Sequence, residues 1–308
     1  MDKVRIVGAG AIGLFLASEM KQSETVLEFL CDAERKEKYQ SKVFFVNNEP
    51  LQINPVTPET VHEPADLIII AVKYHNLDEA VELLQGSIGP NTVILSLMNG
   101  IDSEAIIGKR WGIDKLVHSF LIEVDTVKED NIIYYNNKGK IILGDISGQY
   151  TSAVQKASTI LGRSGLNFEI SNNIEKEIWW KFMINVGINQ ASAVLRAPYG
   201  VFQENKYASD IMNDAMSEVV RLSQKLGIDL NDQDIQRWQE VLKILGPDKK
   251  TSMLQDVEAG RKTEVEMFAG TVCALGQKHG VATPANIMLY NLIKAWERMQ
   301  GFDKEQQM

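Results

Sequence analysis

The sequence predicts an α/β chain in two parts: a mainly parallel sheet covered by helices, followed by an all-α second domain. Three observations lead there. Through the first half, short apolar runs alternate with helical patterns, as in VRIV, LFLASEM, TVLEFL, LIIIAV, LDEAVELL, NTVILSL and DSEAIIG, the pattern of strands joined by helical crossovers. From Ile174 to Leu195 and onward the apolar spacing is helical. The length of 308 residues, 44% of them hydrophobic, supplies enough apolar material for two cores. The expected domains are residues 1–172 and 173–308.

Taken in order, the first strand and first helix enclose GAGAIG, that is Gly8, Ala9, Gly10, Ala11, Ile12 and Gly13. In the G-x-G-x-x-G spacing the first glycine permits a tight turn, the second lets backbone approach a pyrophosphate, and the third lets helix and strand pack closely. Phosphate then rests on the helix amino terminus. The first domain is therefore expected to be Rossmann-like and to bind a dinucleotide.

The second strand, TVLEFLC, leads to Asp32, 19 residues beyond Gly13. An acid there accepts hydrogen bonds from an adenosine ribose 2′-hydroxyl, and it equally suits the amino-terminal cap of the ERKEKY helix. Both readings stand. A carboxylate repels a 2′-phosphate, which favours NAD(H), while Arg35 and Lys36 close by keep NADP(H) open. Lys73 ends LIIIAVK, and Asn99 with Gly100 ends VILSLMNG. Both sit past strand carboxyl ends, the edge where open α/β sheets bind ligands, although Asn-Gly is also a turn dipeptide. Past residue 115, KLVHSFL, NIIYYN and KIILGD are expected to extend the sheet with antiparallel strands, and NFEIS to be the domain's last strand.

In the second domain, WWKFMINVGIN places Lys181, Asn185 and Asn189 at i, i+4 and i+8, a narrow polar line on an otherwise apolar helix. A solvated face would be wider and more charged, so the line reads as the wall of a cleft; the bland alternative is a snorkelling lysine at a helix edge. In SMLQDVEAGRKTEVE, Ser252, Asp256, Gly260 and Glu264 follow a second i, i+4 row, with Gly260 inviting close approach of another element. A carboxylate beside the ammonium would offset the desolvation of both.

Net charge is −9, with 32 basic against 41 acidic residues and no basic cluster interleaved with aromatics, so nucleic acid is not an expected partner. No uncharged apolar stretch reaches the ~18 residues of a membrane span, and the amino terminus enters a strand-like run at once. Cys31 and Cys273 form neither a disulfide framework nor a metal-spaced pair, and the four histidines do not cluster. A cytoplasmic protein without a metal site is expected.

Across nearly its whole length the chain resembles the ketopantoate reductase family (2-dehydropantoate 2-reductases), on GAGAIG, AVK at Lys73, MNG at Asn99, WWKFMINVGIN and SMLQDVEAGRKTEVE, in that order. The resemblance implies an active site between the two domains, reduction of the 2-oxo group of ketopantoate to D-pantoate in pantothenate biosynthesis, and use of NAD(P)H. It implies Lys181 as general acid and Glu264 as the residue that binds substrate and holds the lysine. Asn99 would orient cofactor and substrate, Asn185 and Asn189 would bond substrate oxygens, Ser252 would take the carboxylate, and Lys73 would lie beside the cofactor. Familiar members carry an arginine after the second strand where this chain has Cys31 and Asp32, which puts NADP in doubt. NAD-dependent D-2-hydroxyacid dehydrogenases acting on other branched 2-oxo acids are similar and stay open as an alternative, as do a β-hydroxyacid dehydrogenase and a non-catalytic dinucleotide sensor. A homodimer is compatible with this reading.

Overall fold

The structure is a computed structural model that describes residues 1–21 and 23–302. It divides into two compact units, residues 1–175 and 176–308.

The first unit opens with β1 (Lys3–Val7), α1 (Ala11–Met20), β2 (Val26–Leu30), α2 (Ala33–Gln40), β3 (Phe44–Val46), β4 (Glu49–Leu51), β5 (Pro55–Val56) and β6 (Leu67–Ile70). It continues with α3 (Leu77–Leu83), β7 (Val93–Ser96), α4 (Ser103–Trp111), β8 (Leu116–Val124), β9 (Val127–Glu129), β10 (Ile132–Tyr134), β11 (Lys138–Gly144), α5 (Ser152–Arg163) and β12 (Phe168–Ile170). Among the described residues the main sheet has the order β12-β11-β8-β7-β6-β1-β2-β5. Strands β5, β2, β1, β6, β7 and β8 run parallel. Such a sheet is covered on both faces, which explains why β6 is a continuous apolar LIII with all four residues buried. Successive residues serve opposite faces: Leu67 and Ile69 join one apolar cluster with Leu14 and Phe15 of α1, while Ile68 and Ile70 join another with Leu77 and Val81 of α3.

Two strand expectations are corrected. Strand β8 continues the parallel sheet beside β7, and the antiparallel pairing begins only between β8 and β11; β12 then pairs parallel with β11. NIIYYN does not extend the main sheet at all. Its β10 pairs parallel with β3, through Ile132 and Phe45, and antiparallel with β9, forming a separate sheet of order β4-β3-β10-β9. Buried Val46, Leu51 and Ile133 pack this small sheet into the same cluster as α1, so its register is set by partners distant in sequence.

The second unit is helical among its described residues. It contains α6 (Ile174–Ile184), whose first two residues belong to the preceding unit, then α7 (Gln190–Leu195), α8 (Tyr199–Glu204), α9 (Lys206–Lys225), α10 (Asp232–Ile244), α11 (Ser252–Glu258), α12 (Thr271–His279) and α13 (Pro284–Met299). Two wide π turns interrupt the α pattern, Asn185–Asn189 between α6 and α7, and Glu266–Gly270 before α12. The first lies on α9. A Cβ on Gly187 would fall 2.5 Å from Cγ of Met216 and 2.9 Å from the Met212 carbonyl, so only glycine allows that approach. No helix among the described residues is long and apolar enough to cross a membrane.

Candidate functional site

The glycine loop follows β1. Gly8 sits at φ +110°, and a Cβ there would meet the Ala71 carbonyl at 2.5 Å; one on Gly13 would fall 1.9 Å from the Gly8 carbonyl. The protein's own packing therefore requires both glycines. Gly10 is different, because its nearest heavy atom would be 3.9 Å from an added Cβ. The missing side chain at Gly10 leaves space that the protein does not fill, as a backbone-hugging pyrophosphate needs. Gly10 caps α1 without a side-chain hydrogen bond, and the first turn of α1, which holds Ala11 and Ile12, carries no acid. Its amide groups suit an anion.

Asp32 performs the capping role: Oδ1 accepts from the Arg35 amide at 2.7 Å, and Oδ2 accepts from the Arg35 guanidinium at 2.7 Å. Each carboxylate oxygen keeps a further lone pair, so a ribose hydroxyl remains compatible with the cap. Arg35 is also gripped by Glu79 of α3, at 2.7 and 3.2 Å. Glu79 escaped sequence reasoning, since nothing marks it among the acids of α3. Lys73 lies beyond β6 at the start of a 3-10 turn, Tyr74–Asn76, and Asn99 lies beyond β7, both half-buried. Nearby, the Tyr74 hydroxyl donates to Asp102 at 2.5 Å.

The remaining candidates lie in the second unit, where Lys181 feels the charge of Glu264 and Asn189 meets Ser252. Lys181 lies in the last turn of α6, half-buried, with Trp179, Trp180, Phe182 and Met183 buried around it. The ring of Trp179 meets that of Phe182 edge to face at 5.9 Å, and Trp180 is fixed by a bond from its indole to the Asp234 carbonyl at 3.1 Å. Burial pulls the Lys181 pKa down from 10.5 to about 8, and the charge of Glu264 partly restores it. Burial and the neighbouring carboxylate thus act on this ammonium in opposite directions. Asn185 and Asn189 bound the first π turn, and Asn189, 5% exposed, donates to the Ser252 hydroxyl at 3.4 Å.

The expected row from Ser252 to Glu264 is corrected. Helix α11 stops at Glu258, and Gly260 takes the left-handed conformation at φ +61° with no heavy atom within 4 Å of an added Cβ. Gly260 terminates the helix instead of admitting a neighbour. Glu264 belongs to the following loop, 8% exposed. That loop is anchored by Thr263, whose amide and hydroxyl both donate to Oε1 of Glu297 at 2.8 and 2.6 Å.

Sequence reasoning also missed the brace between the two π turns. Gln190, fully buried, donates from Nε2 to the Val186 carbonyl at 2.7 Å and to Oδ1 of Asn286 at 3.2 Å, while its Oε1 accepts from the Ala269 amide at 3.0 Å. Asn286 in turn donates to Glu218 at 2.7 Å. A widened turn leaves backbone groups unpaired, and Gln190 satisfies one in each turn. Only its place after Asn189 on a buried helix hinted at this.

Comparison with known proteins identifies the family. Residues 4–148 match the profile described as "Ketopantoate reductase PanE/ApbA" and residues 173–297 the one described as "Ketopantoate reductase PanE/ApbA C terminal". The chain is 24% identical over 302 residues to a 2-dehydropantoate 2-reductase of Archaeoglobus fulgidus, covering 96% of this chain and 98% of the relative. To that of Pyrococcus horikoshii it is 26% identical over 308 residues, covering 98% and 100%. Similar solved structures include a D-mandelate dehydrogenase with NADH and anilino(oxo)acetate, at TM-score 0.88 and 24% identity over 97% of this chain and 99% of that one. A 2-dehydropantoate 2-reductase from Geobacter metallireducens gives TM-score 0.83 and 22% identity over 95% and 99%. On both profiles and these full-length relatives, the chain belongs to the ketopantoate reductase family and is an NAD(P)-dependent oxidoreductase.

Proposed function

We propose that the protein reduces the 2-oxo group of ketopantoate to give D-pantoate, with NADH as the preferred reductant. The observation that carries this reading is Lys181: an ammonium with its pKa lowered to about 8 by burial, Glu264 beside it, and the Asn189–Ser252 pair in the same helical unit. When bound, the reduced nicotinamide supplies hydride to the substrate C2. The carbonyl oxygen becomes an alkoxide, and Lys181 both stabilises the growing charge and donates the proton. Glu264 keeps the lysine charged until that moment. Asn185 and Asn189 would bond substrate oxygens, Ser252 would take the carboxylate, Asn99 would orient cofactor and substrate, and Lys73 would lie beside the cofactor.

The preference for NADH is supported by Asp32 and by the neutralisation of Arg35 between Asp32 and Glu79, which leaves that guanidinium little attraction for a 2′-phosphate. A second reading, reduction of other branched or aryl 2-oxo acids to D-2-hydroxy acids, is supported by the likeness to D-mandelate dehydrogenase. Initial rates with NADH and NADPH against a panel of ketopantoate, branched 2-oxo acids and benzoylformate separate the two. Highest kcat/KM for ketopantoate supports the first; preference for an aryl or shorter branched acid supports the second; no turnover with any of them refutes both.

Assembly as a homodimer is supported by a dimeric relative from Staphylococcus aureus and by exposed apolar side chains at Leu195, Ile211, Met288 and Leu292, and sedimentation equilibrium tests it. Function in the reducing cytoplasm suits the free thiols Cys31 and Cys273.

A further inference from the structure

Lys128, at the centre of β9, is where the small sheet reaches the glycine loop. Its Nζ donates to the Ala9 carbonyl at 2.8 Å, joining residues 119 apart in sequence. Ala9 stands between Gly8 and Gly10. The residue is half-buried. Burial is the main cause lowering its pKa, with Lys42 and Lys38 adding to the effect and Asp130 opposing it. Asp130 is itself paired with Lys42 at 3.0 Å. Among the described residues no carboxylate forms an ion pair with Lys128, and the neutral Ala9 carbonyl is its hydrogen-bond partner.

A partly desolvated cation whose protein partner is a neutral carbonyl suits an opposite charge, which would offset its desolvation. An ammonium has three donors, so two stay available beyond Ala9. The loop it touches is the one whose helix start has neither a side-chain cap nor an acid in its first turn. Two independent sources of positive potential, the ammonium and the helix start, thus meet at one loop, an arrangement that suits an anion. We propose that Lys128 binds the 5′-diphosphate of the dinucleotide, reaching from the small sheet to pair as a point charge with phosphate oxygens lying on the Gly8–Gly13 loop. This rests on reading that loop as a dinucleotide site. It also gives the small sheet a task, as the support that carries a cation from outside the β1–α1–β2 unit to the cofactor.

The experiment is isothermal titration of the full chain with 5′-AMP, 5′-ADP and 2′,5′-ADP, for wild type, Lys128→Met and Lys128→Arg. Loss of a charge-assisted hydrogen bond weakens binding by roughly tenfold or more. Lys128→Met should lose that factor for 5′-ADP and clearly less for 5′-AMP, so the preference for the diphosphate collapses; Lys128→Arg, which keeps the charge, should retain it. Added salt should weaken 5′-ADP binding more in wild type than in Lys128→Met. An ADP-to-AMP preference unchanged in Lys128→Met would mean that the lysine only props the Ala9 carbonyl, and would overturn the proposal. So would a loss confined to 2′,5′-ADP, which would move the lysine to the ribose. Wild type that binds none of the three nucleotides would overturn the dinucleotide reading itself, a result distinct from wild type that binds them while the variants behave alike.

Discussion

Glu264→Gln removes the charge that supports the Lys181 ammonium while keeping nearly the same shape. Burial draws the Lys181 pKa from 10.5 down to about 8, and Glu264 acts against that pull. A nearby opposite charge is worth about 1 to 3 in pKa, so the variant's lysine should titrate near 7 or below, roughly, on the smaller value. At pH 7, wild type is then roughly nine-tenths protonated and the variant about half; at pH 8 the fractions are roughly one half and one tenth. Because a lysine with its pKa lowered donates only below that pKa, activity is present at low pH and lost as pH rises through it. The alkaline limb of kcat/KM, which reports the free enzyme, should move down by about one pH unit or more, costing roughly twofold at pH 7 and fivefold at pH 8 from protonation alone. Initial rates of NADH oxidation across this range provide the assay, and direct titration of the Lys181 ammonium by NMR provides a check independent of substrate binding. A limb that stays in place, or moves upward, would refute the coupling between Glu264 and Lys181.

Lys181→Ala should lower turnover by about 10²- to 10⁴-fold, the range for one acid-base group, while nucleotide affinity measured by titration stays near wild type; unchanged turnover would remove Lys181 from the mechanism. Asp32→Arg should raise the ratio of kcat/KM for NADPH over NADH, more so when combined with Glu79→Ala, which releases Arg35; an unaltered ratio would count against a ribose contact at Asp32. Gln190→Leu should orphan the Val186 carbonyl, the Ala269 amide and Oδ1 of Asn286, and at about 1 to 3 kcal/mol for each buried group left unpaired the loss in a denaturant titration should reach roughly 3 kcal/mol.

Where a local pattern determines local structure, the sequence was readable. GAGAIG between a strand and a helix names its own geometry, and the contacts that an added Cβ would make at Gly8 and Gly13 show why those two glycines are needed. The buried LIII of β6 and the aromatic-flanked Lys181 follow equally from apolar spacing. The π turn at Asn185–Asn189 does not, because its widening depends on Gln190 meeting Ala269 from 79 residues away and on Gly187 lying against α9. The four-residue row from Ser252 to Glu264 misled for a different reason. A glycine two residues past Glu258 could have been read as a helix terminator, and the periodic polar pattern continued through the loop by coincidence. Strand β10 left the main sheet because its partners, Phe45 and Lys128, lie in short segments with weak patterns of their own. Lys128 and Glu79 had no motif to announce them; their importance comes from which loop and which guanidinium they touch.

The most direct measurement follows the transferred atom. With NADH deuterated at nicotinamide C4 on the transferred face and ketopantoate as acceptor, direct hydride transfer assisted by Lys181 predicts D-pantoate carrying deuterium at C2, formed by wild type and strongly slowed in Lys181→Ala. Cofactor oxidation without label at C2, or equal labelling rates in the two proteins, would contradict it.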